Sequence, residues 1–168
     1  AKHSSENGLP MLRALFVEYP DDPGAWNVDD QYLFGSDVLV APLFEDVESR
    51  DVYLPGNEKW IDYQTGEVYE PGWNHIEAGE IPVIMLVKDG TAIPHIELAQ
   101  STKYMDWSEL ELKVFSADAR ETNGMVCLPE NNTLHQIKLT DNGSGFELEH
   151  NPLSGKTDFE ITSFELAE

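Results

Sequence analysis

The chain has 168 residues, enough for one domain or two small ones with a sizeable core. It carries 32 Asp and Glu residues against 10 Lys and Arg, a net charge of −22 that would repel nucleic-acid phosphates and anionic lipid surfaces. Hydrophobic residues make up 40% of the chain, so it is not a disordered acidic segment. We therefore predict a folded protein with no nucleic-acid or membrane partner, whose charge is compatible with a neutral ligand such as a sugar.

The sequence contains no pattern that indicates a disulfide, a metal or a cofactor. The single cysteine, Cys127, lies in the apolar segment MVCL and is predicted to be a buried, inert thiol. It leaves the compartment undecided between cytoplasmic and periplasmic or secreted. No segment has the spaced acidic pattern of a calcium loop. The chain has no initiator Met, leader or apolar run of membrane-span length, so we expect a soluble fragment, although a processed mature protein would also lack Met.

The first part of the chain is organised around Met11–Tyr19, MLRALFVEY. Hydrophobic residues are nearly continuous in this run, which predicts a strand covered on both faces, as in an α/β core. Residues 1–8 before it are predicted to be the tail of a helix or a loop, and Gly8 followed by Leu9-Pro10 suits a helix C-terminal cap. Arg13 is expected to be paired within the core. Only one such α/β unit is present, which suggests that the chain starts inside a larger fold.

Four polar residues mark the C-terminal end of this predicted strand: Glu18, Tyr19, Asp21 and Asp22. Ligands of α/β folds bind at that end of the strands, so these residues are candidates for an active-site rim. The alternative is a structural turn, because Asp beside Pro and Gly is an ordinary turn former. The following segment, Asn27–Gly35, has apolar residues at helical spacing and is predicted to form a short helix that starts at Asn27 and stops at Gly35.

From Ser36 onwards the sequence predicts β-structure. The expected strands and turns of this part alternate regularly, as in a β-sandwich. They are Val38–Phe44, Val52–Leu54, a hairpin of Trp60–Tyr63 and Glu67–Glu70, a central strand Ile81–Lys88, and Thr91–Ile96. Trp60, Tyr63, Tyr69 and Trp73 could stack on sugars, but we interpret them as core and sheet-edge packing.

A polar connection, residues 97–106, leads to a second and smaller β region. Its strands alternate between apolar and polar residues, the pattern of a sheet with one solvated face. The predicted strands are Glu109–Phe115, Met125–Leu128, Thr133–Leu139, Gly145–Glu149 and Thr157–Phe164. The fold class is therefore mainly β after a short α/β start.

The order of these segments resembles the C-terminal part of glycoside hydrolase family 31, which includes α-glucosidases and α-xylosidases. The resemblance is carried by LPMLRALFVEYPDDP, then DDQYLFGSDVLVAPLF, then SRDVYLPGNEKWIDYQTGE. It is strong over residues 8–98 and loose over residues 106–168. The segment PMLRALFVEYPDDPGAW resembles the α-xylosidase branch more than the maltase-type members.

The resemblance implies a domain organisation. Residues 1–36 would be the end of a (β/α)8 catalytic barrel, comprising its last strand, Met11–Tyr19, and a short helix. Residues 37–105 would be a proximal β-sandwich domain and residues 106–168 a smaller distal β domain. The missing barrel portion of the same polypeptide would be the main partner, and an oligosaccharide the substrate of the complete enzyme. Self-association is a further expectation, because an uncovered strand would favour it.

The resemblance also implies retaining hydrolysis of terminal α-linked xylosyl or glucosyl residues by two aspartates, with no metal or cofactor. Such carboxylates flank the scissile bond from opposite sides, which the adjacent Asp21 and Asp22 cannot do. In this family both catalytic aspartates lie on earlier barrel elements, so we expect them upstream of residue 1 and expect this chain to be inactive alone. Two alternatives are a stand-alone carbohydrate-binding β module without catalysis and a structural surface protein with two sandwich domains.

Overall fold

The computed structural model describes residues 1–130 and 132–163. Within these residues the chain forms two compact units, one comprising His3–Asp89 and another that begins at Gly90. Among the described residues, no helix has the length and apolar character needed to cross a membrane.

The first unit begins with a short helix, α1 (Lys2–Asn7), and Gly8 follows it in the left-handed conformation at φ 69°. This confirms the predicted glycine cap. The predicted strand Met11–Tyr19 is wrong as a continuous element. The chain forms a two-residue strand, β1 (Leu12–Arg13), and then a single helical turn, α2 (Leu15–Glu18).

The physical reason is that this apolar run is not covered on two faces within the chain. Arg13 and Leu15 are buried, whereas Met11, Leu12 and Phe16 are exposed. A helical turn lets Leu15 enter the core while its neighbours remain at the surface. The run of hydrophobic residues therefore contains both buried and exposed apolar side chains. The periodicity of hydrophobic residues cannot distinguish the two in so short a segment.

The predicted helix at Asn27–Gly35 is also wrong. A 3₁₀ turn covers Gly24–Asn27, and the following residues form strand β2 (Tyr32–Phe34). Strand β2 pairs with β1 on one side and with β3 (Val38–Pro42) on the other, and Gly35 at φ 72° lies in the connecting turn. Hydrogen bonding to two neighbouring strands outweighs the weak local preference of a few residues for a helix.

The first unit contains a six-stranded sheet, in the order β1-β2-β3-β8-β5-β6, and β4 and β7 form a separate two-stranded ribbon. Strand β8 lies between β3 and β5, which confirms the predicted central strand. The hairpin between β5 and β6 is confirmed as well. The remaining bounds are β4 Ser49–Leu54, β5 Trp60–Asp62, β6 Val68–Tyr69, β7 Gly72–Glu77 and β8 Val83–Lys88.

The core of the first unit lies between the sheet and the ribbon. One cluster of buried side chains includes Leu39, Trp60 and Leu86 from the sheet, together with Val52 and Ile76 from the ribbon. Each such side chain contributes about 1.5–3 kcal/mol when it is fully removed from water. The two layers therefore depend on each other, as the predicted sandwich requires.

The second unit contains one six-stranded sheet in the order β13-β12-β11-β9-β10-β14. The described strands match the predicted ones closely, although Phe164 lies outside the described residues. Their bounds are β9 Thr91–His95, β10 Glu109–Phe115, β11 Glu121–Cys127, β12 Leu134–Asp141, β13 Phe146–Leu148 and β14 Asp158–Ser163.

Strand β9 lies in this second sheet, where it pairs antiparallel with β10, whereas the sequence groups it with residues 37–105. The polar segment 97–106 thus connects two strands of one sheet and does not separate two sheets. The chain passes between the units at Asp89 and Gly90, with Gly90 at φ 81°. The three-part division with a barrel remnant at residues 1–36 stays a prediction.

A close approach of backbones joins β9 to β11. The two strands run parallel and meet at Thr91 and Asn123. A Cβ atom on the adjacent Gly124 would lie 2.4 Å from the carbonyl oxygen of Ala92, so only glycine fits without a shift of the strand.

We predict that Gly124→Ala lowers the free energy of unfolding by about 1–3 kcal/mol, because the added methyl group must push backbone aside. Urea unfolding followed by circular dichroism measures the change. The matched control is Asn123→Ala, an exposed position on the same strand, which should change stability by less than about 0.5 kcal/mol. Equal stability of the two variants would show that β9 can move away at no cost.

Candidate functional site

Glu18, the first of the candidate rim residues, is part of a structural ion pair. Its Oε2 atom lies 2.6 Å from Nη1 of Arg13, and Arg13 also donates from Nε to the carbonyl oxygen of Pro10 at 2.8 Å. Arg13 is only 3% exposed. A buried guanidinium needs a charged partner, so this pair confirms the expected role of Arg13 and assigns Glu18 to the same contact.

Asp22 is the centre of a hydrogen-bond network. Its Oδ1 accepts from the backbone N–H of Gly24 at 2.9 Å and from the hydroxyl of Tyr53 at 2.7 Å. Its Oδ2 accepts from the N–H of Gly56 at 3.1 Å. Tyr53 lies on β4 and Gly56 just beyond it, so one carboxylate holds the turn at residues 20–24 against the end of a distant strand.

This environment changes the pKa of both partners. Burial raises the pKa of Asp22, but the hydrogen bonds from Tyr53, Gly56 and Gly24 outweigh burial and hold that pKa below its ordinary value. Burial, together with the hydrogen bond to Asp22 and its negative charge, raises the pKa of Tyr53 to about 12. Asp22 is therefore held ionised and Tyr53 protonated, which fixes the direction of their bond.

Two glycines permit this network. A Cβ atom on Gly24 would lie 2.2 Å from the hydroxyl oxygen of Tyr53, and one on Gly56 would lie 2.7 Å from the ring of Tyr19. Both tyrosine rings occupy the space that any other side chain would need.

Tyr19 and Asp21 complete the candidate set. Tyr19 is half-buried; burial first, and then the nearby carboxylates of Glu58 and Asp37, raise its pKa above the ordinary range. Asp21 is exposed, and no hydrogen bond to its side chain occurs among the described residues. The structure thus brings Tyr19 and Asp22 together beside Gly56, directs Glu18 to Arg13, and leaves Asp21 in solvent. Their role as an active-site rim stays a prediction.

Sequence reasoning missed Tyr53 and Gly56, which lie 31 and 34 residues after Asp22. The segment YLPG contains both residues, but nothing local indicates which carboxylate they meet. In the described part of the chain, no group of three or more His, Cys, Asp or Glu side chains could hold a metal ion.

Four aromatic residues could either stack on sugars or pack in the core and at sheet edges, and the structure gives them different environments. Trp60 is fully buried and donates from its indole nitrogen to the carbonyl oxygen of Pro55 at 3.2 Å, which is core packing. Tyr63 and Tyr69 are half-buried. Trp73 is different, because 65% of its surface is exposed.

The network around Asp22, β4 and β8 lies within a segment that matches a known family. Residues 8–93, just over half of the chain, match the model of the glycosyl hydrolase family 31 C-terminal domain. This chain belongs to glycosyl hydrolase family 31. The match covers every strand of this family 31 chain from β1 to β8 and ends within β9.

Curated relatives of this family 31 chain include two kinds of α-glycosidase. Alpha-glucosidase 2 of Bacillus thermoamyloliquefaciens is 40% identical over 104 residues, which are 60% of this chain and 13% of that protein. An alpha-xylosidase of Emericella nidulans is 29% identical over 145 residues, 82% of this chain and 18% of that protein. The chain therefore spans less than a fifth of the length of these relatives.

A solved structure supports the same fold. The family 31 dextranase of Flavobacterium johnsoniae, in complex with glucose, matches with a TM-score of 0.74 and 25% identity. The match covers 83% of this chain and 19% of that one. The mainly β fold is thus that of a family 31 C-terminal region.

We predict that Asp22→Asn lowers the free energy of unfolding by about 2–3 kcal/mol, because an amide cannot accept from all three donors. The pKa of Asp22 is lowered in the folded state, so its ionised form stabilises the fold above the ordinary value of 3.8. This contribution disappears as the pH falls below 3.8. The stability difference between wild type and variant should therefore be constant above about pH 5 and shrink at lower pH.

Urea titrations at a series of pH values measure this dependence. Asp21→Asn is the matched control, since Asp21 is the exposed neighbour in the same turn. A difference for Asp22→Asn that is the same at all pH values would contradict the role of the carboxylate charge.

Proposed function

We propose that this chain is the C-terminal β region of a retaining α-glycosidase that hydrolyses terminal α-linked xylosyl or glucosyl residues. In this proposal it supports a catalytic barrel and does not carry the catalytic aspartates. The observation that carries the proposal is the family match over residues 8–93, combined with relatives named alpha-glucosidase and alpha-xylosidase.

The chemistry of the described carboxylates supports a structural role. Retaining hydrolysis needs one carboxylate as nucleophile and a second whose proton moves on and off during the reaction. Asp22 accepts three hydrogen bonds and has a lowered pKa, which does not suit a carboxyl group that must gain and lose a proton in each cycle. Glu18 is paired with Arg13. Catalytic aspartates outside this chain are consistent with both observations.

An exposed apolar surface near the start of the chain supports a docking role. We call it the N-terminal apolar surface, and its members are large hydrophobic side chains that remain in contact with solvent. They are Leu9, Met11, Leu12, Phe16, Val17, Trp26 and Phe34.

Four of these side chains form two neighbouring pairs. Leu12 and Phe34 are directly opposite each other on β1 and β2, and the rings of Phe16 and Trp26 stack with centroids 4.9 Å apart. Exposed hydrophobic side chains grouped in this way mark surfaces that another part of a protein covers. We propose the barrel portion of the same polypeptide as that cover.

We predict that the 168-residue chain alone hydrolyses neither 4-nitrophenyl α-glucoside nor 4-nitrophenyl α-xyloside. A polypeptide in which a family 31 barrel precedes this chain should hydrolyse one of them, and the preferred substrate identifies the glycone. Release of 4-nitrophenol measures both. Hydrolysis by the chain alone would overturn the proposal, and inactivity of both proteins combined with sugar binding would favour a carbohydrate-binding module.

A second prediction concerns the docking surface. Leu12→Gln should leave the stability of the isolated chain within about 0.5 kcal/mol of wild type, because Leu12 is 58% exposed. In the longer polypeptide it should cost about 2 kcal/mol, because there the side chain would be buried. Thermal unfolding of the two proteins compares these values.

The matched control is Leu98→Gln, an exposed leucine outside the N-terminal apolar surface. It should have the same small effect in both proteins. Equal effects of Leu12→Gln in the two proteins would show that the barrel does not cover this surface.

A further inference from the structure

An open groove in the first unit lies apart from the N-terminal apolar surface and has no role in the function proposed above. It has a volume of about 430 Å³, within the range of about 300–1,000 Å³ typical of small-molecule sites. One side is the connection between β3 and β4, residues 43–48, and the other is the β4–β7 ribbon.

Two aromatic side chains stand in this groove with most of their surface in solvent. Trp73 of β7 is 65% exposed and Phe44 of the connection is 73% exposed. Each is supported from within the protein. The ring of Trp73 contacts that of Tyr53 at a centroid distance of 5.3 Å, and the guanidinium of Arg50 lies 6.0 Å from the centroid of Phe44.

Among the described residues that line the groove, Arg50 is the one cation, and the protein itself occupies it. Arg50 donates from Nη1 to the carbonyl oxygens of Pro42 at 2.8 Å and Asp30 at 3.1 Å, and from Nε to the carbonyl oxygen of Asp51 at 3.2 Å. Its Nη2 atom pairs with the carboxylate of Asp30. Every nitrogen of the guanidinium therefore has a partner, and the described lining residues leave no charged donor for an anion.

The polar groups that remain suit hydroxyl groups. Within the described residues, no hydrogen bond or ion pair engages the carboxylate of Glu45, the hydroxyl of Ser49 or the indole N–H of Trp73. Asp51 uses Oδ1 to contact Nδ1 of His75 at 2.8 Å, which leaves Oδ2 as an acceptor. The carboxylates can accept hydrogen bonds, the indole N–H can donate one, and the hydroxyl of Ser49 can do both. Sugar hydroxyls also donate and accept, so they can pair with each of these groups.

We propose that this groove is a saccharide-binding subsite, in which the apolar face of a neutral sugar ring packs on Trp73 with Phe44 as the second contact. Trp73 combines a large apolar surface with a polar N–H, Phe44 supplies apolar surface alone, and binding pockets use a few polar groups to fix orientation. Glu45, Ser49 and Asp51 supply those groups. In this proposal the subsite binds sugar and takes no part in its cleavage.

The choice of an α-glucan as ligand rests on the proposed function, whereas the groove itself does not. A titration of the 168-residue chain with maltotetraose, followed by ¹H–¹⁵N chemical shifts, tests the subsite without any activity. We expect shifts at residues 43–51 and 73–75, and binding at least about tenfold weaker in Trp73→Ala, because loss of a central aromatic contact has effects of this size.

Trp26→Ala is the matched control, because Trp26 is also exposed, at 58%, but does not line the groove. It should bind maltotetraose as wild type does, and ¹H–¹⁵N spectra of both variants report whether each is folded. Phe44→Ala provides a second variant on the loop side of the groove, with an expected loss of binding as well.

Three results would overturn the proposal: no binding of maltotetraose, equal binding by wild type and Trp73→Ala, or binding of trilysine in preference to the sugar. The last result would identify the groove as an acidic surface for a basic peptide. Loss of hydrolysis in the longer polypeptide together with intact sugar binding here would contradict the proposed function alone.

Discussion

The carboxylate of Asp22 is the constraint on which the described geometry of the first unit most depends. It joins three segments that are distant in sequence: its own turn, the strand β4 through Tyr53, and the loop after β4 through Gly56. Hydrogen bonds to an ionised acceptor are roughly twice as strong as neutral ones, and leaving their donors unpaired is costly. The turn that follows α2 therefore has one position relative to the ribbon.

This constraint extends to the groove. Tyr53 donates to Asp22 with its hydroxyl and contacts Trp73 with its ring, so one side chain links the position of Trp73 to the carboxylate of Asp22. Gln31 strengthens the same region, since its amide accepts from and donates to the backbone of Tyr53 at 3.0 and 2.6 Å. A side chain fixed from both its backbone and its hydroxyl gives Trp73 a rigid support, which reduces the ordering cost of binding.

The sequence was sufficient for elements defined by pattern. The apolar run of β8, the alternation in β10 and the hairpin turn before Gly66 each predicted the element that the structure contains. It failed at Met11–Tyr19 and Asn27–Gly35. There the outcome depends on which side of a short segment is covered, and on pairing between β1, β2 and β3, neither of which is encoded by local periodicity.

The candidate site shows the same limit. Asp22 is a candidate from the sequence because it lies at the end of the predicted strand, whereas its partners Tyr53 and Gly56 become visible only when β4 is placed beside the turn. The residues that make the network possible, Gly24 and Gly56, resemble ordinary turn glycines in the sequence. In the structure their missing side chains are what allows two tyrosine rings to approach the backbone.

The protonation state of Asp22 indicates whether this residue suits a structural role or acid/base chemistry. An acid/base carboxyl must change protonation during each cycle, which favours a pKa raised by burial or by a second carboxylate. Asp22 has the opposite environment, with three donors that stabilise its charge. A residue held in one protonation state is suited to fixing geometry. The turn at residues 20–24 is therefore built as a rigid support.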